Sequence, residues 1–94
     1  MYEITVAVCV YKQKEWLHRC LRSLNSQTLE KSRYEVVVVN DDPNETLDDV
    51  IDIFKEHMNI RVINNEKNLG LPTSLNKILK TSMAKYFVRV DCDD

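Results

Sequence analysis

The stretch of sequence that decides the fold is Tyr34-Glu35-Val36-Val37-Val38-Val39, and it runs directly into Asn40-Asp41-Asp42-Pro43-Asn44. Valine is branched at Cβ and favours an extended backbone. An apolar run without polar interruption is typical of a strand that is covered on both faces. The stretch therefore predicts a buried strand with acidic side chains directly after it.

Three other runs resemble this strand. They are Ile4-Thr5-Val6-Ala7-Val8-Cys9-Val10, Asn59-Ile60-Arg61-Val62-Ile63 and Tyr86-Phe87-Val88-Arg89-Val90. The run that begins at Asn59 is shorter and more polar, which favours a position nearer an edge of the sheet. We predict four strands in all.

Between the strands, apolar residues recur with the period of a helix. We interpret three stripes as helix faces packed on the core: Trp16, Leu17, Cys20, Leu21 and Leu24; Leu47, Val50, Ile51 and Phe54; and Leu71, Leu75, Ile78, Leu79 and Met83. Thr46 and Asp49 have the spacing of a capping pair for the second helix. Gly70 and Pro72 mark the start of the third.

The order of elements is β-α-β-α-β-α-β, and the crossovers are long enough for parallel pairing. This order predicts an α/β fold, a Rossmann-like three-layer α/β/α half-domain with a parallel four-stranded sheet in the order 3-2-1-4. Residues 1–94 then form one domain. In such a sheet a ligand is expected beyond the carboxyl ends of strands 1 and 4, flanked by the end of strand 2.

Composition narrows the class of protein. The 94 residues are 44% hydrophobic and 30% charged, with a net charge of -2 and a pI near 5.7. That charge does not favour nucleic acid as a partner, and no apolar run has the length of a membrane span. The three cysteines are widely spaced, which predicts reduced thiols and a cytoplasmic protein.

Asp91, Asp93 and Asp94 follow the last strand. Carboxylates of this kind suit Mg²⁺ or Mn²⁺ alongside substrate phosphates, although an acidic strand end taken alone is more often a solvated terminus. The sequence has neither G-x-G-x-x-G nor G-x-x-x-x-G-K-[ST], so a glycine-rich phosphate cradle is not expected.

Taken together in order and spacing, several segments resemble the family 2 glycosyltransferases of the GT-A fold. They are Ile4 to Tyr11, Ser23-Leu24-Asn25-Ser26-Gln27-Thr28, Glu35 to Asp41, Asn68-Leu69-Gly70-Leu71 and Val90 to Asp94. The resemblance implies an N-terminal half that binds a nucleotide-sugar, with uridine diphosphate as the expected nucleotide and inversion at the anomeric carbon. The catalytic base and the acceptor site are expected beyond the acidic signature.

The resemblance also implies a role for each matching residue. Tyr11 is expected to stack on the nucleobase, Asp41 to accept a hydrogen bond from it, and Asp93 to face the ribose or the metal. Asp91, Asp93 and Asp94 match the D-x-D signature that binds the metal. Cys9 and Asn68 are assigned to the nucleotide as well, although Asn68 suits a purely structural role equally. The chain departs from the family pattern at Asn40, which replaces an acid, and at Lys12, which replaces an asparagine.

Two alternatives remain open at this stage. One is a stand-alone module that binds nucleotide, or oligomerises, without catalysis. Under either interpretation of the chain, the exposed edge of strand 4 predicts a homodimer. The other is a nucleotidyltransferase, which the missing glycine-rich loop disfavours.

Overall fold

All four expected strands are present in the computed structural model, which describes residues 2–26 and 30–91. They are β1 (Ile4–Val10), β2 (Tyr34–Asn40), β3 (Ile60–Asn64) and β4 (Tyr86–Asp91). They form one sheet in the order β3-β2-β1-β4 with every neighbouring pair parallel. The predicted order and the edge position of the third strand are confirmed.

Three helices connect the strands: α1 (Lys14–Asn25), α2 (Asp48–Phe54) and α3 (Leu71–Thr81). A single 3₁₀ turn, Lys31–Arg33, precedes β2. None of the helices in the described ranges has the length and apolar character needed to cross a bilayer.

The core has a larger half and a smaller half because alternate residues of a strand point to opposite faces of the sheet. Val36 and Val38 belong to the larger cluster, together with residues of α1 and α2. Val37 and Val39 belong to the smaller cluster, together with Ile78 of α3. The uninterrupted valine run is thus explained, since both faces of β2 are covered.

Not every residue of the predicted stripes is in the core. Trp16 is 42% exposed, Leu71 39%, Leu79 50% and Met83 75%. On α3, the fully buried positions are Ser74 and Ile78, because the helix lies chiefly over β1 and β2 and turns only a narrow strip toward them. Met83 lies beyond Thr81, where α3 ends. The ring of Trp16 packs against the guanidinium of Arg19, 4.8 Å from the ring centre, rather than into the core.

The predicted capping pair of α2 is also wrong. The helix begins at Asp48, and Leu47 occupies the capping position without a side-chain hydrogen bond. Thr46 Oγ1 does accept a hydrogen bond from the amide of Asp48 at 3.2 Å. Asp49, however, pairs with Lys14 of α1 at 2.7 Å rather than reaching back to its own helix terminus.

A polar cluster fastens the end of α3 to the amino-terminal end of the sheet. The hydroxyl of Thr5, which is fully buried, donates to Glu35 at 2.8 Å and lies 2.6 Å from the hydroxyl of Ser82. Arg61 donates to Glu35 at 3.1 Å and to Thr81 at 2.9 Å. Residues from three strands and α3 are therefore linked at this end of the sheet.

Candidate nucleotide-binding edge of the sheet

The carboxyl ends of the strands meet at one edge of the sheet. Val10 pairs with Asn40, and Asn40 pairs with Asn64, so the segments that follow β1, β2 and β3 leave the sheet side by side. The amide of Asp41 donates to the carbonyl of Val10 at 2.8 Å. This edge is where a parallel sheet that reverses its winding direction binds ligands.

Asp41 is at the centre of this edge. It is only 5% exposed, and its Oδ1 accepts hydrogen bonds from Asn65 Nδ2 and from the backbone amide of Leu69, both at 2.8 Å. Its Oδ2 accepts one from the amide of Gly70 at 3.0 Å. A carboxylate has about four acceptor positions, so one position on Oδ2 is left for a further donor.

The environment of Asp41 favours its charged form. Burial by itself raises the pKa of this carboxyl, but the hydrogen bonds from Leu69, Asn65 and Gly70 and the charge of Lys77 outweigh burial, and the net pKa lies below its ordinary value. Asp41 is therefore an anion at neutral pH. Because Leu69 and Gly70 directly precede α3, this carboxylate occupies the position at the helix N-terminus that would otherwise attract a phosphate.

Gly70 makes that arrangement possible. Its φ of 84° with ψ of 164° lies in a region of backbone conformation open essentially to glycine alone. With this turn, the amides of Leu69 and Gly70 both point at Asp41 while the carbonyl of Gly70 accepts the first helical bond of α3, from Ser74 at 3.1 Å. The glycine thus sets the geometry of the β3–α3 loop (residues 65–70).

The asparagine that replaces the expected acid at position 40 has a defined structural role. Its Oδ1 accepts from the amide of Asp42 at 3.1 Å, and its Nδ2 donates to the carbonyl of Glu45 at 2.7 Å and to Asn64 at 3.2 Å. A carboxylate has no donor for the last two partners. Asp42 in turn accepts from the amide of Asn44 at 2.9 Å, which closes the turn after β2.

On the β1 side of the edge lie Tyr11 and Lys12. The ring of Tyr11 is 42% exposed, and the ammonium of Lys12 lies 5.3 Å from its centre. Lys12 has a φ of 56°, in the left-handed region that asparagine tolerates better than lysine. This conformation gives a physical reason for the asparagine that the family resemblance leads one to expect there.

Several grooves open next to this edge, and two of them adjoin residues that the sequence assigned to the nucleotide. One, of about 560 Å³, lies at the start of α1 and is lined by residues 12–16 and His18, with Glu45 and Val50 opposite. The other, of about 500 Å³, is lined by Asn64, Glu66, Lys67, Leu69 and Lys77. Both grooves are open to solvent and lie beside segments that the sequence assigned to the nucleotide.

The structure brings Tyr11 and Asp41 to the same edge, through the bond between the Val10 carbonyl and the Asp41 amide. Asn68 is exposed in the β3–α3 loop. The side chain of Cys9 packs beside the smaller core cluster under α3. The assignments of these residues to the nucleotide remain predictions.

The predicted metal ligands lie mostly outside the described residues. Asp93 and Asp94 are not described, and of Asp91 only the backbone is, at the end of β4 opposite Cys9. Within residues 2–26 and 30–91, no three His, Cys, Asp or Glu side chains are grouped so that they could bind a metal ion. The proposed metal site therefore depends on the acidic signature itself.

Sequence reasoning missed Asn65 and Lys77. Asn65 is buried and contacts Asp41, and Lys77 Nζ donates to Asn65 Oδ1 at 2.7 Å. A signal for Asn65 was present, because it is the second of two asparagines at the end of a strand. No local pattern marks Lys77, since a lysine on an amphipathic helix is ordinarily solvated.

The sheet order, the winding reversal and the polar edge together define a Rossmann-like α/β domain of the GT-A type. The model of "Glycosyl transferase family 2" matches residues 5–94, and the chain belongs to this family.

Three relatives illustrate the likeness. An uncharacterized glycosyltransferase of Haemophilus influenzae is 36% identical over 97% of this chain, which covers 28% of that protein. TarS of Staphylococcus aureus, a poly(ribitol-phosphate) beta-N-acetylglucosaminyltransferase, is 30% identical over 100% of this chain and 17% of its own length. The crystal structure of TarS 1–349, which is 29% identical to this chain, superposes on it with a TM-score of 0.89 over 28% of the TarS chain. TarS 1–349 has also been crystallised with UDP and with UDP-GlcNAc.

A mannosyltransferase of Pyrobaculum calidifontis, in complex with GDP-Man and Mn²⁺, shares the fold with a TM-score of 0.86. The two proteins are 20% identical, and the superposition covers 97% of this chain and 27% of the mannosyltransferase. The chain thus spans less than a third of the length of each of these relatives.

Proposed function

We propose that this chain binds the donor nucleotide of a glycosyl transfer reaction, in which a hexose passes from a nucleoside-diphosphate sugar to an acceptor hydroxyl with inversion. The single observation that carries the proposal is the polar edge at which Tyr11 and the buried, ionised Asp41 follow adjacent strands. The crystal structures of TarS with UDP and UDP-GlcNAc support uridine diphosphate as the nucleotide.

The proposed contacts are those that the family resemblance implies, and the geometry supports two of them. Tyr11 offers an exposed ring on which a base can stack, a contact worth about 1–3 kcal/mol in other proteins. Asp41 has one acceptor position left on Oδ2, and the N–H of a uracil ring is a donor of the matching kind. Cys9 and Asn68 are proposed to complete the nucleotide site, with Asp93 on its ribose side.

A divalent cation, Mg²⁺ or Mn²⁺, is proposed at Asp91, Asp93 and Asp94. Carboxylate oxygens are the ligands these cations prefer, and the chain supplies three of them within four residues. The cation would supply neutralising charge to the departing nucleoside diphosphate. A metal fits the electrostatics of the edge, because Asp41 already occupies the N-terminus of α3, and a diphosphate needs a different source of positive charge.

A titration with uridine diphosphate, followed by ¹H–¹⁵N NMR with and without Mg²⁺, tests the proposal. Shifts are expected at residues 9–12, 41–42 and 68–70. Asp94→Ala is expected to remove only the part of the binding that depends on Mg²⁺, whereas Asp41→Ala weakens binding in both conditions. Shifts confined to the amino-terminal end of the sheet would overturn the assignment.

A second candidate function has its own observation. Tyr86 and Val88 are 52% and 45% exposed on β4, the edge strand of the described sheet. An apolar edge strand is a surface for pairing with another chain, so we propose a homodimer through β4 as the alternative to a catalytic role. Sedimentation velocity at rising concentration decides this, and Val88→Lys is expected to abolish any dimer. A chain that stays monomeric throughout contradicts it.

A cytoplasmic location remains a prediction from the cysteine content. No described residue is assigned to binding the acceptor or the transferred sugar.

A further inference from the structure

The orientation of the Asn65 side chain is fixed from both ends. Lys77 Nζ donates to Asn65 Oδ1 at 2.7 Å, and Asn65 Nδ2 donates to Asp41 at 2.8 Å and to the hydroxyl of Ser74 at 3.2 Å. An ammonium can only donate and a carboxylate can only accept, so the amide has one orientation that satisfies both neighbours.

Reversing this amide would place its oxygen against Asp41 and its NH₂ against Lys77. Both contacts would then pair like with like, acceptor with acceptor and donor with donor. Asn65 is buried, so neither mismatched group could turn to water instead. The hydrogen bond from Lys77 therefore selects the orientation that gives Asp41 its side-chain donor.

The consequence extends to the β3–α3 loop. Oδ1 of Asp41 receives both Asn65 Nδ2 and the amide of Leu69, while Oδ2 receives Gly70. The direction of the carboxylate, and with it the position left open on Oδ2, depends on all three donors. If Asn65 turns away, the carboxylate is held only by the two amides of a loop whose own position depends on the carboxylate.

We propose that Lys77 is a positioning residue of the donor-nucleotide site: through Asn65 it fixes the Asp41 carboxylate and the β3–α3 loop in the geometry that meets the nucleotide. The inference rests on the proposed function for its link to the nucleotide, but not for the link between Lys77 and Asp41. Lys77 acts through Asn65, to whose Oδ1 its ammonium donates at 2.7 Å.

The test compares Lys77→Met, which keeps the aliphatic stem and removes the donor, with Lys80→Met as the matched control. Lys80 lies in the last turn of the same helix and is exposed. Lys77→Arg restores a cationic donor and serves as the rescue variant.

Three quantities are measured on the 94-residue chain. The first is the pKa of Asp41 from the ¹³C shift of its carboxyl, which is expected to rise in Lys77→Met. The second is hydrogen exchange at the amides of Leu69 and Gly70, which is expected to quicken in that variant. The third is the dissociation constant for UDP, which is expected to rise about threefold to tenfold, since part of one charge-assisted hydrogen bond is lost. Lys80→Met leaves all three unchanged, and Lys77→Arg restores them in part.

The outcomes separate this inference from the proposed function. If the wild-type chain does not bind UDP, the proposed function fails, and the carboxyl titration and amide exchange still decide the link from Lys77 to Asp41. If UDP binds and Lys77→Met matches the Lys80→Met control in all three measurements, the inference is overturned. A Lys77→Met chain that does not fold is replaced by Lys77→Leu, which also removes the donor and is judged by the same measurements.

Discussion

Replacing Asp41 by asparagine tests the most connected side chain at the edge of the sheet. The amide oxygen of Asp41→Asn can still accept from Asn65 and Leu69, as Oδ1 does in the wild-type chain. Its NH₂ then occupies the place of Oδ2, 3.0 Å from the amide of Gly70, so that two donors face each other. The variant therefore loses one charge-assisted bond outright and weakens the two that remain.

The expected loss of stability at neutral pH is about 2–4 kcal/mol, from one hydrogen bond to a charged group at about 1.5–3 kcal/mol and the weakening of the other two. A domain of this size has a free energy of unfolding of about 5–14 kcal/mol, so the variant is expected to remain folded. Urea unfolding followed by circular dichroism measures the difference, with an unchanged slope if both chains unfold in one step.

The pH dependence gives a second check. The folded-state pKa of Asp41 lies below its ordinary value of 3.8, so the stabilisation is present above that value and is lost as pH falls through the folded-state pKa. The difference in stability between the wild-type chain and Asp41→Asn should therefore be constant near neutrality and shrink below pH 3.8.

The matched control is Asp42→Asn. An asparagine there keeps the oxygen that accepts from the amide of Asn44, so a change of less than about 0.5 kcal/mol is expected. If Asp41→Asn destabilises no more than this control, or if its effect persists unchanged in acid, the account of Asp41 as an ionised hub is refuted.

Three shorter predictions follow from the same region. Gly70→Ala is expected to lower the free energy of unfolding by about 1–3 kcal/mol because φ is 84° there, although no atom lies within 4 Å of an added Cβ. An unchanged free energy of unfolding in urea would contradict this backbone-strain argument. Lys12→Asn is expected to raise stability by less than about 1 kcal/mol by relieving a left-handed lysine, and a loss of stability would show that its contact with the Tyr11 ring matters more. Tyr11→Ala should weaken UDP binding by about 1–3 kcal/mol in calorimetry, with Tyr86→Ala as a control that leaves the affinity unchanged.

Much of the fold could be predicted from the sequence because the signals were periodic. The valine run of β2 has both faces buried in two clusters, as its lack of polar residues indicated. The order of alternating strands and helices was enough to give the strand order, since right-handed crossovers leave few alternatives. The exposure of Leu79 and Met83 could not be predicted, because periodicity tells which side of a helix is apolar but not how wide a strip its neighbours cover.

The candidate site was predictable at its strand ends and not between them. Asp41 was found because it directly follows a strand. Its partners Asn65 and Lys77 lie 24 and 36 positions further along the chain, and nothing local connects them to it. Such hydrogen bonds depend on how α3 is rotated over the sheet, which is a property of the tertiary packing.

Polar contacts at its two ends also decide how α3 is held. At its start, the amide of Gly70 donates to Asp41, which directly follows β2. At its end, Ser82 contacts Thr5 of β1 and Arg61 of β3 donates to Thr81, while Glu35 of β2 accepts from both Thr5 and Arg61. Among the described residues, Ile78 is the only fully buried apolar side chain of the helix. The helix is thus held by polar contacts at its two ends more than by apolar packing along its length. Without the contacts at Asp41, α3 would be free to pivot about the contacts at its carboxyl end. The groove beside Lys77 would then change width while the sheet kept its shape.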